Sequence, residues 1–379
     1  MELYFSFNCS GVAMVTLEDA GKPRKLVLHL DVNKAIFIGD SITKSLTPEQ
    51  ALNEYLTDVA WGEVGQSGEW IGDHSTLYER QPKENMVSYY RYAQAKYSGQ
   101  PRSEFKGHIR KFTEEEVGQP FRQFYENMMD ALKFPGNIRS WKGNDLPSFA
   151  DQKGIQHHCI VPSFYKLLDH LIESKREFAI VFRTFGGDGQ VVLQATKDYL
   201  DGRNAFVCAG EPQQSHVSGD PVDNSTHMVN FSAGKVMRSS NQITLKCPED
   251  HLVLSNFYDI YKYFSQTHGV KLFVDDYEWW KSQHFHSLAA KPLFIDLGEK
   301  SVHHIMLDDN FRPWEPADSI INLLLAKERS FTSVDPATFD NVCVFKTDLY
   351  QSICNRNYLI DKIELCERNY NKMISEKNE

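Results

Sequence analysis

The chain is 379 residues long, 41% hydrophobic and 24% charged, with a formal net charge of -10. That length exceeds what one hydrophobic core usually supports, so a large domain with an insert, or two domains, is expected, and the composition excludes disorder throughout. The acidic balance argues against nonspecific binding to nucleic acid or to an anionic membrane, because those partners need clustered Lys and Arg.

The N-terminal stretch MELYFSFNCSGVAMV has no basic segment ahead of its apolar residues and reads as an edge strand or hairpin, not a signal peptide. Lys25 to Leu30 (KLVLHL) is a short apolar run ending directly in Asp31. Pro48 to Val59 predicts a helix, with Thr47 as N-cap, Pro48 at the first helical position and Gln50 at the third. From about 62 to 157 the chain is rich in Gly, Tyr, Gln and charge, with helical patterns over Asn85 to Tyr97 and Thr113 to Leu132. This stretch reads as a mostly helical insert, and the basic run Lys106 to Lys111 within it as a solvated face.

Pro162 to Lys175 is amphipathic and leads into a second apolar run, Phe178 to Phe182 (FAIVF), followed by Arg183, Thr184, Phe185, Gly186 and Gly187. Ala205 to Cys208 is a further strand candidate, and 210–250 reads as a β-rich excursion over the sheet. Lys271 to Val274, Leu293 to Leu297 and Val342 to Phe345 are also strand-like, and His303 to Leu307 (HHIML) runs into Asp308, Asp309 and Asn310. Tyr350 to Ile374 reads as a long helix interrupted around Asn355 to Asn357, with the polar run Ser375 to Glu379 fraying.

Near-continuous apolar runs of four to eight residues suit strands buried on both faces of a parallel sheet, and their alternation with helices argues for an α/β architecture. The organisation expected is a core in two parts, 1–61 and 158–379, interrupted by the insert at 62–157. Seven cysteines (Cys9, Cys159, Cys208, Cys247, Cys343, Cys354 and Cys366) are an odd number without CxxC spacing, which fits a reducing, cytoplasmic setting. No apolar run reaches the roughly 18 residues of a membrane span.

In open parallel sheets ligands bind beyond the carboxyl ends of the strands. Three strand ends carry distinctive groups: Asp31-Val32-Asn33, Arg183-Thr184-Phe185-Gly186 and Asp308-Asp309-Asn310. Side by side they would put three carboxylates, a hydroxyl and backbone amides in one crevice, a set suited to a phosphoryl group with Mg²⁺.

An apolar strand ending in Asp-x-Asn, a later strand ending in Thr, then a Lys and a terminal Asp-Asp pair resemble the four motifs of the haloacid dehalogenase superfamily. The resemblance covers the core strands and leaves 62–157 outside it, where it implies a cap inserted between the first and second motifs. It implies a three-layer Rossmann-like parallel sheet and a Mg²⁺-dependent phosphatase or phosphotransferase acting on a small phosphorylated molecule through an aspartyl-phosphate. Asp31 would be the nucleophile and the Asn33 carbonyl a metal ligand. Thr184, with the amides of Phe185 and Gly186, would hold the phosphoryl oxygens. Asp308 would bind Mg²⁺ with support from Asp309, and Lys291 would neutralise the transferring group, with Lys281 the second choice.

One position departs from the pattern. The second acidic residue of the first motif, the usual general acid and base, is here Asn33, and an amide exchanges no proton at neutral pH. Two positions on, a frequent Thr is Ala35. A catalytically silent protein of the same fold, binding a phosphorylated ligand or a protein partner, is therefore the alternative.

Other polar residues have plainer readings. His157 and His158 sit at adjacent positions beside Cys159, which on an extended chain point to opposite faces, and read as structural. His303 and His304 read as packing or solvent-facing, whereas His284 and His286 would reach the crevice if their loop borders it. Asp275 and Asp276 read as the cap of a helix beginning at Tyr277, and Trp279 and Trp280 as packing or a pocket wall. Gly186 to Gly189 lacks the Lys-Ser/Thr ending of a P-loop, and no Gly-x-Ser-x-Gly is present. Gly39-Asp40-Ser41 lies where the resemblance implies a flap, and turn chemistry explains it equally well.

Overall fold

The computed structural model describes residues 23–39, 46–74, 76–134, 147–201, 231–240, 242–248, 251–315, 319–328 and 330–377. The N-terminal strand or hairpin, the Ala205 to Cys208 strand, Cys9 and the Asp40-Ser41 flap positions lie outside them.

The chain is a mixed α/β protein built on an eight-stranded, mostly parallel sheet. From one edge the order is Leu252–Leu254, Gln242–Cys247, Phe231–Ser239, Gly269–Asp275, Phe178–Thr184, Lys25–Asp31, Val302–Asp308 and Val344–Lys346. The two pairings that involve Gln242–Cys247 are antiparallel, and the others are parallel. Every residue of Lys25–Asp31 is buried, as expected of a strand flanked on both sides and covered on both faces.

The described part of 210–250 differs from its expectation. Phe231–Ser239 pairs in register with Gly269–Asp275 and extends the sheet itself, with its antiparallel neighbours at the edge, so it does not cross over a face.

Alternation along the strands sends two sets of side chains in opposite directions. Leu26, Leu28, Leu30, Ile180, Phe182, Leu272, Ile305 and Leu307 pack into a cluster shared with the helices Pro48–Val59, Pro162–Glu173 and Leu349–Cys354. Val27, Val181 and Phe273 pack on the other side against the helix Phe257–Gln266 and against a second, three-stranded sheet of Lys291–Ile295, Ile321–Lys327 and Ser330–Val334. The strand expected at Leu293 to Leu297 therefore starts two residues earlier and belongs to a separate sheet, not to the central one. Periodicity cannot make that distinction, because a buried strand reads alike in either sheet.

Local chemistry marks the helix ends. Thr47 and Gln50 form a capping box at the start of Pro48–Val59. The C-terminal helix is broken where expected, giving Leu349–Cys354 and then Tyr358–Lys377, so Ser375 is helical and does not fray. The segment expected as one helix over Thr113 to Leu132 is two 3₁₀ turns followed by Arg122–Leu132. Pro120 lacks the N–H that a continuous helix needs, and Gly118 lies so close to Phe112 that a Cβ would sit 1.9 Å from its carbonyl oxygen.

The 62–157 stretch mixes helices with strands. Trp61–Val64 pairs with Trp70–Gly72 and Met86–Ser88, and Ser148–Ala150 pairs with Gln156–His158. Trp70, Tyr89, Phe112 and Phe121 from this stretch belong to the same buried cluster as the sheet's helical face. No helix among the described residues is long and apolar enough to cross a membrane, and Cys159, Cys247, Cys343, Cys354 and Cys366 are free thiols.

Candidate active site

The parallel register delivers the polar strand ends to one place. Asp31 lies beside Arg183, and Leu30 beside Leu307, so Asp31 and Asp308 occupy neighbouring strand tips on the same face. Above that face runs the strand Lys291–Ile295, which lowers its first side chain between them. The Lys291 Nζ donates to Asp31 Oδ1 at 2.6 Å and to Asp308 Oδ2 at 2.7 Å, with Lys291 only 1% exposed and Asp308 fully buried. Lys281, the other lysine considered, is exposed in the last turn of the short helix Tyr277–Ser282 and takes no part.

The turn after Asp308 completes the cluster. The Asn310 N–H donates to Asp308 Oδ1 at 2.9 Å, and Asn310 Nδ2 donates to Asp309 Oδ1 at 2.9 Å. Lys346 donates to the Asp309 carbonyl. Asp31, Asp308 and Asp309 each offer a carboxylate oxygen, and these atoms all lie within 4.8 Å of one another, so together they could hold a metal ion.

Electrostatics express the crowding. Burial first, then the Asp308 charge, pushes the Asp31 carboxyl well above the usual carboxylate range, against the opposing pull of Lys291. Asp309 is raised for the same reasons, burial and then Asp308. Burial alone would lower the Lys291 ammonium, but Asp308, Asp31 and Asp275 outweigh it and hold the group above its ordinary value. Asp31 and Asp308 thus share the buried Lys291 ammonium. Lys34 and Lys346 add their charge at Asp309 without overcoming its burial and the Asp308 charge, and a hard cation would relieve this crowding of carboxylates.

Asn33 and Thr184 meet beside this cluster. Thr184 Oγ1 lies 3.5 Å from Asn33 Oδ1 and accepts from the Gly186 N–H at 3.0 Å, so that amide is engaged within its own loop. Asn33 Nδ2 donates to Asp188 Oδ2 at 2.8 Å. Asp188 is the residue ahead of the helix Gly189–Leu200, is almost fully buried, and went unnoticed in the sequence because an Asp between glycines looks like turn chemistry.

The sequence marks Arg183 only as part of a strand end, and its role is the other feature that sequence reasoning missed. Its guanidinium is fully buried, forks onto Asp275 at 2.9 and 2.5 Å, and donates to the Pro292 carbonyl at 3.0 Å. It thereby ties the strand carrying Lys291 to the central sheet. Asp275 is therefore an ion-pair partner, not a cap, while Asp276 alone caps Tyr277–Ser282 by accepting from the Trp279 N–H at 3.0 Å. The sequence signal was an Arg inside an otherwise apolar strand, a residue rarely buried without a partner.

The basic run in the insert also differs from its expectation. Lys106 and Arg110 lie 2.7 and 3.5 Å from the carboxylate of Glu54, which Lys34 approaches at 3.3 Å. Burial would raise Glu54, but Lys34 and Lys106 prevail and draw it down to about 2. The 62–157 stretch is thus tied by charge to Glu54, the same carboxylate that holds Lys34, the residue immediately following Asn33.

A cleft of about 470 Å³ opens next to the cluster, lined by Phe185, Trp280, Phe285, Asn310, Arg312, Ile320 and, from the insert, Arg91. Phe185 follows Thr184 directly, and its ring lies 5.0 Å from the Lys291 Nζ. Trp280 stacks on Phe185 at 4.9 Å with only 6° between planes, which settles its position as a pocket wall.

Among the described residues no histidine joins the carboxylate cluster. His284 and His286 are exposed, and His286 Nδ1 accepts from the Leu288 N–H. His157 contacts the Met129 carbonyl and Asp151, and His158 stacks on Phe134. His303 and His304 are both buried, His303 donating to the Val342 carbonyl and His304 contacting His29 and Ser265. Comparison of the chain with protein-family models, with curated proteins and with solved structures finds no match, so its chemistry rests on these contacts.

Proposed function

We propose that the chain is a Mg²⁺-dependent phosphatase or phosphotransferase of the haloacid dehalogenase type, acting on a small phosphorylated molecule through Asp31. The observation that carries this reading is the Lys291 ammonium held between Asp31 and Asp308, with Asp309 beside them. All-oxygen donors of this charge fit Mg²⁺, and Asp31, Asp308 and Asp309 would hold it with the Asn33 carbonyl. When bound, the ion would offset the charge of the three carboxylates and of the incoming phosphate.

The residues then divide the work. Asp31 attacks phosphorus, forming an acyl-phosphate as the ester oxygen departs, and water later returns the carboxylate and releases phosphate. Lys291 neutralises the transferring oxygens from its fixed position, without reorganisation. Thr184 and the Phe185 amide orient them, while the Gly186 amide is held by Thr184 Oγ1. Asn33 cannot move a proton, and Asp188, which accepts from its amide, is the carboxylate assigned to protonate the leaving group.

The test compares wild-type protein and Asp31→Asn against a panel of phosphate esters, with Mg²⁺ and with chelator. Metal-dependent phosphate release that vanishes in the variant, with folding retained, is expected. Full activity in Asp31→Asn would remove the mechanism.

A second reading, a silent protein of the same fold that binds a phosphorylated ligand, is favoured by Asn33 and by the Gly186 amide already satisfied by Thr184. Phosphate release that begins only in Asn33→Asp would select it.

A further inference from the structure

We infer that the cleft beside the carboxylate cluster is a subsite for a planar aromatic ring, and that the substrate is an anionic phosphate ester carrying such a ring. This deepens the reading of Asp31 as the phosphoryl acceptor and rests on it. The cleft is contiguous with the centre through the backbone, since Phe185 follows Thr184 and Asn310 follows Asp309. Its volume of about 470 Å³ falls in the range of small-molecule sites.

Its walls are of two kinds. One is aromatic: Phe185 and Trp280 lie face to face, and Phe285 meets Trp280 edge-on at 4.9 Å and 80°. Phe285 is 44% exposed, an unusual degree for a phenyl ring, and the backbone holds it there at φ 60, after His284 at φ 54. Two successive non-glycine residues in the left-handed region persist only where the surroundings enforce them, and such strain gathers at ligand sites. The other wall is cationic. Arg91 and Arg312 reach the cleft from the insert and from the turn after Asp309, and both offer donors only. Both pair with Glu315, at 3.9 and 3.5 Å, and Arg91 also donates to Gln94 Oε1 at 3.4 Å, but each guanidinium has five N–H donors, more than these acceptors use.

A ring packed against Trp280 and Phe285 with its acceptors toward the arginines satisfies both walls. A sugar phosphate without an aromatic ring would leave the exposed Phe285 ring uncovered.

The experiment measures binding of adenosine 5′-monophosphate and ribose 5-phosphate by calorimetry, with Mg²⁺, in the Asp31→Asn background so that bound ester persists. Adenosine 5′-monophosphate is expected to bind at least about tenfold tighter, the scale of base stacking on an aromatic side chain. Adding Trp280→Leu should collapse that ratio to about twofold, and Trp280→Phe should keep most of it. Equal affinities, no binding of either ester, or a ratio preserved in Trp280→Leu would overturn the ring subsite. Turnover assayed in the wild type separates the two ideas. Turnover without ring preference in binding leaves the Asp31 reading intact and removes the subsite. Ring-selective binding lost in Trp280→Leu, with no ester turned over, keeps the subsite and removes the reading.

Discussion

Asn33 Nδ2 donates to Asp188 Oδ2 across 2.8 Å, joining the loop after the first core strand to a residue 155 positions later. Under the phosphatase reading proposed for Asp31, an amide thus occupies the place where a general acid would be sought, and a carboxylate stands against it. Asp188→Asn should lower turnover of a phosphate ester by about a hundredfold, the usual worth of a positioned proton donor. Asn33→Asp in that background exchanges the two groups and should recover most of the loss. The check is kcat and its pH profile for the wild type, the single variant and the swap. An Asp188→Asn enzyme with wild-type kcat would exclude Asp188 from proton transfer.

The Arg183–Asp275 pair lies wholly inside the protein, so removing one member strands the other. Arg183→Met should cost about 3–5 kcal/mol of stability, because an unpaired buried carboxylate remains and the Pro292 carbonyl loses its donor. Arg183→Met with Asp275→Leu should recover part of that, since the stranded carboxylate is gone although Lys291 and Arg238 lose its charge. Denaturant unfolding reads both. A loss below about 1 kcal/mol in the single variant would show that water reaches Asp275.

Three buried imidazoles set a pH response. Burial drives His303 and His304 down to about 3, and His29, for the same reason and with the His304 charge, well below its ordinary value. In the unfolded chain they take up protons near pH 6.5. Between that pH and about 3 the unfolded state therefore binds more protons, and stability falls as pH falls. Each contributes a slope approaching about 1.4 kcal/mol per pH unit once below 6.5. His304→Gln, which retains hydrogen-bonding capacity toward Ser265 and His29, should flatten the decline between pH 6 and 5. An unchanged slope would assign the decline to other groups.

What the sequence determined by itself is local. The apolar runs marked the strands around Asp31, Phe182 and Asp308, because a strand buried on both faces needs an unbroken apolar stretch. Thr47 and Gln50 marked a helix start, and the polar Asn355 to Asn357 marked a break, because caps and breaks act over three or four residues. The residue types at the strand tips already suggested phosphate and metal chemistry.

Tertiary structure decided which of those groups meet. Lys291 reaches Asp31 across 260 positions only because its strand leaves the central sheet and joins a second one above it. Asp188 against Asn33, Arg183 in Asp275, the Glu54 link to the insert, and Arg91 facing Trp280 are likewise contacts between distant segments. Periodicity and capping carry no record of sheet membership or of which loops share a cleft. Those follow from how whole elements bury their faces against one another, where a one-residue shift in register turns every side chain to the other side.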